Sequence, residues 1–172
     1  YAVFSVDKEL EVKAGIESLA NTLGGIDILV NNAGVGDFGS IEEMPSETWE
    51  QVIKTNLFGV YYTAKAVYPF LKEKGQGDIV NVASTAGLKG GPNMSAYAAS
   101  KAAVVSLSQS MMAEWRKQNI RVITLTPSTI ASEMSINGGL TDGNPDKVLQ
   151  PEDFAEWVRD ILKMNRRAMI AN

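Results

Sequence analysis

The chain of 172 residues contains no cysteine and no histidine. The first absence excludes disulfides and thiol nucleophiles. The second removes imidazole as a general base, and the two together remove most zinc sites. Long apolar runs are missing as well: no stretch reaches the ~20 residues that a membrane-spanning helix needs. Charge of one sign is also lacking. Sixteen Lys and Arg stand against twenty Asp and Glu, a net charge of −4, which argues against general affinity for nucleic acid or membrane surfaces. Hydrophobic content of 45% and charged content of 21% are ordinary for a globular protein, and the length fits one domain over 1–172 with a sizeable core. A cytoplasmic protein is the default expectation. Internal repeats, low-complexity segments and linkers are absent.

Against this background one stretch organises the chain, Ser84 to Lys101. It ends in Tyr97-x-x-x-Lys101, a spacing that puts both side chains on one helix face. An ammonium beside a phenol favours the phenolate, so Lys101 is expected to lower the pKa of Tyr97 and make it a proton donor near neutral pH. Ser84, thirteen positions earlier, closes an apolar strand-like run. Its hydroxyl is placed to steady an oxygen that develops charge.

The remaining sequence alternates strands and helices. Tyr1–Val6 reads as a strand already under way. Asp7 caps a helix over about 8–22, which Gly24-Gly25 ends. Asp27–Val30 is a short strand running into Asn31-Asn32-Ala33-Gly34 and a glycine-rich loop. Pro45-Ser46 opens a long helix with the apolar stripe Trp49, Val52, Ile53, Leu57, Val60, Ala64, Val67 and Leu71, and Pro69 is expected to kink or end it. Asp78–Ala83 is a strand entering the Ser84 loop. The Tyr97 helix runs to about Lys117, Ile120–Leu125 is a strand, and 127–150 reads as a long loop or lid. Pro151 suits the first turn of a further helix, and a last strand begins near Ala168. Near-continuous apolar strands alternating with helices predict a doubly wound α/β fold, a parallel sheet covered on both faces. Its ligands lie beyond the C-terminal strand edges, where Asn31, Ser84 and Pro127 converge.

Taken jointly, Asp27-Ile-Leu-Val-Asn-Asn-Ala-Gly34, Asn56-Leu-Phe-Gly59, Ser84, Tyr97 and Lys101 resemble the short-chain dehydrogenase/reductases, in order and approximate spacing. Ile79-Val-Asn-Val and Tyr97-Ala-Ala-Ser-Lys101 look most like the bacterial 3-oxoacyl-[acyl-carrier-protein] reductases of fatty acid biosynthesis. The resemblance implies a Rossmann-like fold and an NAD(P)-dependent oxidoreductase, with NADP slightly preferred over NAD. It implies that Tyr97 exchanges the proton, Ser84 hydrogen-bonds the reacting oxygen, Lys101 holds the nicotinamide ribose, and Asn56 anchors a water leading to Lys101. Val6, Asn31, Ala33, Gly34, Pro127, Ile130 and Ser132 fall where the family contacts its cofactor. No metal site is expected.

Three departures accompany the likeness. The family's glycine-rich pyrophosphate turn is absent, and the match places Tyr1 at about the third strand. Two strand–helix units, roughly 50–60 residues, are therefore expected to precede it. Ser5 stands where the family usually has Asp. Ser128 stands where it usually has Gly, and Ser enters positive φ less freely. The substrate surface is expected around Leu88–Met94 and 128–150, with Leu88, Met94, Met134 and Ile136 as apolar candidates and a small-molecule or acyl-thioester carbonyl as substrate. Lys117 and Arg121 read as solvated charges. The resemblance also implies a homodimer or homotetramer through helices 46–72 and 97–117. A second, non-enzymatic reading is a truncated relative that binds or regulates a partner.

Overall fold

The computed structural model describes residues 1–166. Three parallel strands form its sheet in sequence order: β1 (Ile28–Asn31), β2 (Gly77–Val82) and β3 (Ile120–Leu125). β2 is central, and Asn31 pairs with Asn81 and Ile79 with Val122 in register. The helices are α1 (Glu9–Leu23), α2 (Ser46–Ile53), α3 (Gly59–Lys74), α4 (Ser95–Trp115), α5 (Glu133–Asn137) and α6 (Pro151–Lys163). The family expectation of a parallel sheet flanked by helices is met.

Side chains alternate across a strand, and the core follows that rule. Ile79, Ile120 and Val122 join Val60, Val67 and Leu71 of α3, Val104 and Met111 of α4, and Val12 and Ile16 of α1 in one buried cluster. A polar ladder crosses the same interface. Thr63 donates to Asn31 (2.6 Å), Asn31 to Asn81 (2.8 Å), and Asn81 to Ser108 (2.8 Å). Each buried amide thus finds a partner, as burial requires, and α3, β1, β2 and α4 are fixed in register. Val80 and Ile123 face the other way and are also buried. There Arg121 of β3 donates to the carbonyl of Leu162 in α6. On β1 itself, Ile28 and Val30 remain 46% and 42% exposed.

Several expectations are corrected. Tyr1–Val6 is not a strand: it makes no sheet ladder, and Phe4 packs instead over Gly15 of α1. Asp7 is not the cap of α1. Lys8 occupies that position, and the Asp7 carboxylate is taken by Ser5 and Gln51. The helix opened by Pro45-Ser46 is interrupted by a π-helical turn at Lys54–Phe58. It then passes through Pro69 to Lys74 and stops at left-handed Gly75. Pro69 is exposed, so the hydrogen bond it forfeits lies where water can substitute, while buried Val67 and Leu71 hold the helix to the core. Trp49 leaves the stripe and is partly exposed. The 127–150 segment is more than a loop: it contains α5, whose cap is Ser132, and an isolated bridge joins Ile130 to Leu149. The strand expected near Ala168 lies outside the described residues. Among those residues no helix is long and apolar enough to cross a membrane.

Arg121 is not a solvated charge. Its Nε donates to Asp78 at 2.9 Å, and Arg166 Nη1 reaches the same carboxylate oxygen at 2.9 Å. Asp78 and Arg121 have side chains only 10% exposed, so this is a buried charge cluster at the N-terminal end of β2.

Candidate active site

The opposite, C-terminal ends of the strands open onto a cleft of about 1050 Å³. Its walls come from the loop after β1 (Asn32, Gly34, Phe38), the end of β2 (Val82–Ala86), α4 (Tyr97, Lys101), the loop after β3 (Pro127–Ile130), and α5 and α6.

Ser84 follows β2 in extended conformation and caps a 3₁₀ turn, Thr85–Gly87, with its Oγ accepting from Ala86 N–H at 3.1 Å. Two features hold that turn in place. Thr85 N–H donates to Pro127 O (3.0 Å), tying it to the loop after β3. Gly87 lies directly on the backbone of α4: a Cβ there would stand 2.6 Å from the Lys101 carbonyl carbon. Only glycine permits this approach, and the approach sets Ser84 against the helix that carries Tyr97 and Lys101. Ser84 and Tyr97 accordingly line the same cleft, and the Ser84 hydroxyl is near enough to favour the Tyr97 phenolate.

Lys101 lies one turn beyond Tyr97, with Nζ 5.6 Å from the Tyr97 ring centroid. It is only 6% exposed and donates to Val82 O at 2.8 Å. Among the described residues it forms no ion pair with a carboxylate. Burial without a counter-ion disfavours the charged form and lowers its pKa to about 8. The ammonium therefore still predominates at neutral pH.

The expected direction for Tyr97 is corrected. Burial raises its pKa above the ordinary phenol value, and the nearby Ser84 hydroxyl opposes that rise without cancelling it. The cost of desolvating a phenolate outweighs what the Ser84 hydroxyl offers it, and the Lys101 ammonium is turned toward a carbonyl. The resting group at neutral pH is the protonated phenol.

Asn56 is buried within the π-helical turn. Its amide pairs with the Val35 backbone in both directions, accepting from N–H at 2.8 Å and donating to O at 2.9 Å, and it also donates to Ser100 Oγ at 3.0 Å. Through these bonds the amide braces the loop after β1 against α4. The π turn is itself unannounced by composition; such turns recur at functional sites.

The cofactor candidates separate into two groups. Gly34, Pro127, Ile130 and Ser132 line the cleft, together with Tyr97 and Lys101. Asn31, Ala33 and Val6 do not: Asn31 is committed to Thr63 and Asn81, Ala33 is exposed outside the cleft wall, and Val6 packs over Gly59. Of the substrate candidates, Met94 and Met134 line the cleft, whereas Leu88 and Ile136 lie outside it and are exposed. Sequence reasoning missed Phe38, which stacks obliquely on Tyr97, and Gly87. The first sits in a loop with no periodicity to read. The second could have been suspected from a glycine three residues past Ser84.

Comparisons with known proteins agree with this geometry. The short chain dehydrogenase family profile matches residues 1–142, and the chain belongs to that family. An inactive 2-(S)-hydroxypropyl-CoM dehydrogenase 2 from Xanthobacter autotrophicus is 42% identical over 127 residues, covering 74% of this chain and 55% of the relative. A 3-oxoacyl-[acyl-carrier-protein] reductase from Thermotoga maritima is 36% identical over 133 residues, covering 77% of this chain and 54% of that protein. Among solved structures, gluconate 5-dehydrogenase from Burkholderia cenocepacia in complex with NADP and tartrate superposes with a TM-score of 0.76 at 34% identity. That match covers 78% of this chain and 52% of the neighbour. The chain spans about half the length of the curated relatives it matches.

Proposed function

We propose that the protein containing this chain is an NAD(P)-dependent oxidoreductase that interconverts a carbonyl and an alcohol, with Tyr97 as the general acid and base. One observation carries the reading. Tyr97 and Ser84 line one cleft at the C-terminal sheet edge, beside a buried ammonium that has no carboxylate partner among the described residues.

The residues present suit a nicotinamide nucleotide. Gly34 is flanked by Asn56 Oδ1 and Lys101 Nζ, and a Cβ on it would lie 3.2 Å and 3.6 Å from those atoms, so the wall is bare where a ribose would approach. Lys101 would hold the ribose, and Gly34, Pro127, Ile130 and Ser132 would line its surroundings. The bound nicotinamide supplies or accepts the hydride at the carbonyl carbon. Ser84 and Tyr97 grip the carbonyl oxygen through their hydroxyls. As charge builds on that oxygen, Tyr97 passes its proton to it. Lys101 then faces a phenolate and stabilises it. The raised pKa of Tyr97 keeps the donor loaded at neutral pH, the form that reduction needs. Oxidation needs the phenolate, so its rate should rise with pH while reduction falls.

NADP and NAD both remain compatible, with NADP preferred in this reading, and a 3-oxoacyl thioester or similar ketone is the substrate. A homodimer or homotetramer forms through helices 46–72 and 97–117; Phe58 and Tyr61, 41% and 44% exposed, supply apolar surface on the first. A cytoplasmic enzyme suits this chemistry. The alternative, a catalytically incompetent binding or regulatory relative, is favoured by the inactive homologue alone. Titration with NADH and NADPH separates the two readings, since absence of binding favours the alternative.

Tyr97→Phe in the complete protein its gene encodes should lower turnover by about 10²–10⁴-fold, the usual worth of a positioned proton donor. Circular dichroism should show an unchanged fold. Near-normal rates would remove Tyr97 from its role.

A further inference from the structure

The wall that faces Tyr97 is built from an aromatic ring and a thioether. Phe38, in the loop after β1, places its ring 5.7 Å from the Tyr97 ring at an interplanar angle of 59°. The ring is backed tightly. A Cβ on Gly138, just past α5, would stand 2.7 Å from two Phe38 ring atoms. Met134 of α5 approaches the same loop, its Sδ 3.0 Å from where a Cβ on Gly36 would lie. Phe38 therefore has no room to swing away from Tyr97 toward α5. Met94, Leu140 and Phe154 extend the apolar surface.

Charge on this side of the cleft is sparse and balanced. Lys89 and Glu133 line it, both exposed and opposite in sign, and among the described residues no arginine does. Lys101 is engaged with Val82 O. A polyhydroxy acid whose flank lay against Phe38 and Met134 would leave the hydroxyls on that flank without partners. Polar groups left unpaired in this way are rejected strongly. A hydrocarbon flank meets the wall without penalty, and each buried methylene should tighten binding about fourfold.

We propose that Phe38 is a specificity-determining residue that selects carbonyl substrates, or their secondary alcohols, whose flank beside the reacting carbon is hydrocarbon rather than polyhydroxylated and anionic. This rests on the oxidoreductase reading above. The proposal makes Phe38 a contact for the substrate's flank and leaves proton transfer to Tyr97.

The test compares the complete wild-type protein with Phe38→Ala and Phe38→Leu. Methyl ketones from butanone to 2-octanone are set against 5-ketogluconate, with NADH and NADPH. The expected result is a kcat/KM that climbs with chain length and little or no turnover of 5-ketogluconate. Phe38→Ala should raise KM for 2-octanone about tenfold or more, given several lost carbon contacts, with kcat changed less than about threefold. Phe38→Leu should recover much of the loss. A flat chain-length series, preference for 5-ketogluconate, or a loss in Phe38→Ala that falls on kcat alone would overturn the proposal. A second readout does not depend on turnover: thermal stabilisation of the protein by 2-octanone and by gluconate. Stabilisation by the ketone alone, lost in Phe38→Ala and retained in Phe38→Leu, supports the proposal. Stabilisation by gluconate alone, by both ligands, or by neither overturns it. If nicotinamide binds but neither series is turned over, the oxidoreductase reading fails, and the thermal arm still decides what the cleft accepts.

Discussion

The two ends of β2 each hold a buried charge, and they treat it in opposite ways. At the N-terminal end Asp78 is gripped by Arg121 and Arg166, both at 2.9 Å. At the C-terminal end Lys101 has a backbone carbonyl for its partner, and burial drags its pKa to about 8. The paired end is a clamp: Arg121 also donates to Leu162 O and Met164 O, and Arg166 to Gly77 O and Asn119 O, so α6 and the chain after it are held to the sheet. At the unpaired end the protein leaves an ionisable group uncompensated beside a phenol, in the cleft. A structural charge is neutralised where it lies. At Lys101 the charge is left unneutralised, and its burial lowers stability.

The largest effect on stability should come from breaking the paired end. Asp78→Ala leaves two guanidinium groups facing each other, one of them nearly buried. Breaking a buried pair in this way costs about 3 kcal/mol, the low end of the range, because Arg166 is partly solvated. Urea denaturation of the complete protein measures it. A loss below about 1 kcal/mol would place the cluster with ordinary surface pairs and remove the contrast.

The next test addresses the unpaired end through pH. Lys101 has a folded-state pKa of about 8 against the ordinary lysine value of 10.5. Between those values the unfolded chain holds a proton that the folded chain has released, so stability must rise with pH in that window. From about pH 7 to about pH 9.5 the wild type should gain about 2 kcal/mol from this group. Lys101→Met should lack that gain. Parallel pH profiles for the two proteins would mean that the ammonium is compensated after all. Tyr97, raised in the fold, works in the opposite sense, but only as pH rises past the ordinary phenol value of 10.0.

This contrast also marks what could be read from residues alone. The strands at 28–31, 77–82 and 120–125 were legible because a parallel sheet demands continuous apolar runs. The end of α1 at Gly24 and the start of α6 at Pro151 were legible because those positions require particular backbones. That Ser84, Tyr97 and Lys101 would converge on one cleft was legible from spacing along one strand end and one helix face. The buried status of Arg121 was not legible, because its partner is 43 positions away and nothing local distinguishes it from Lys117. The π turn around Asn56 was hidden because a shift in hydrogen-bond register leaves no compositional trace. The direction of the Tyr97 shift was misjudged for a related reason. Spacing reports the neighbouring charge, whereas desolvation depends on segments that arrive from elsewhere in the chain. Asn31 allowed two readings from its position, a cofactor contact or a tie between elements, and the structure shows the tie, through Thr63 and Asn81.

The smallest expected effect sharpens the comparison most. Arg166 has a side chain 32% exposed, against 10% for Arg121. If the clamp depends on neutralising Asp78, then Arg121 alone suffices for the charge, and water can replace much of what Arg166 supplies. Arg166→Ala should cost about 1 kcal/mol, the range of a partly exposed pair with its hydrogen bonds. It should leave kcat and KM within about twofold, because the cluster and the cleft lie at opposite ends of β2. A cost equal to that of Asp78→Ala would mean that the clamp works by tying down the chain after α6, with the carboxylate serving as its anchor point. A change in kcat would mean that the two ends of β2 communicate, and the division of labour between the two buried charges would have to be withdrawn.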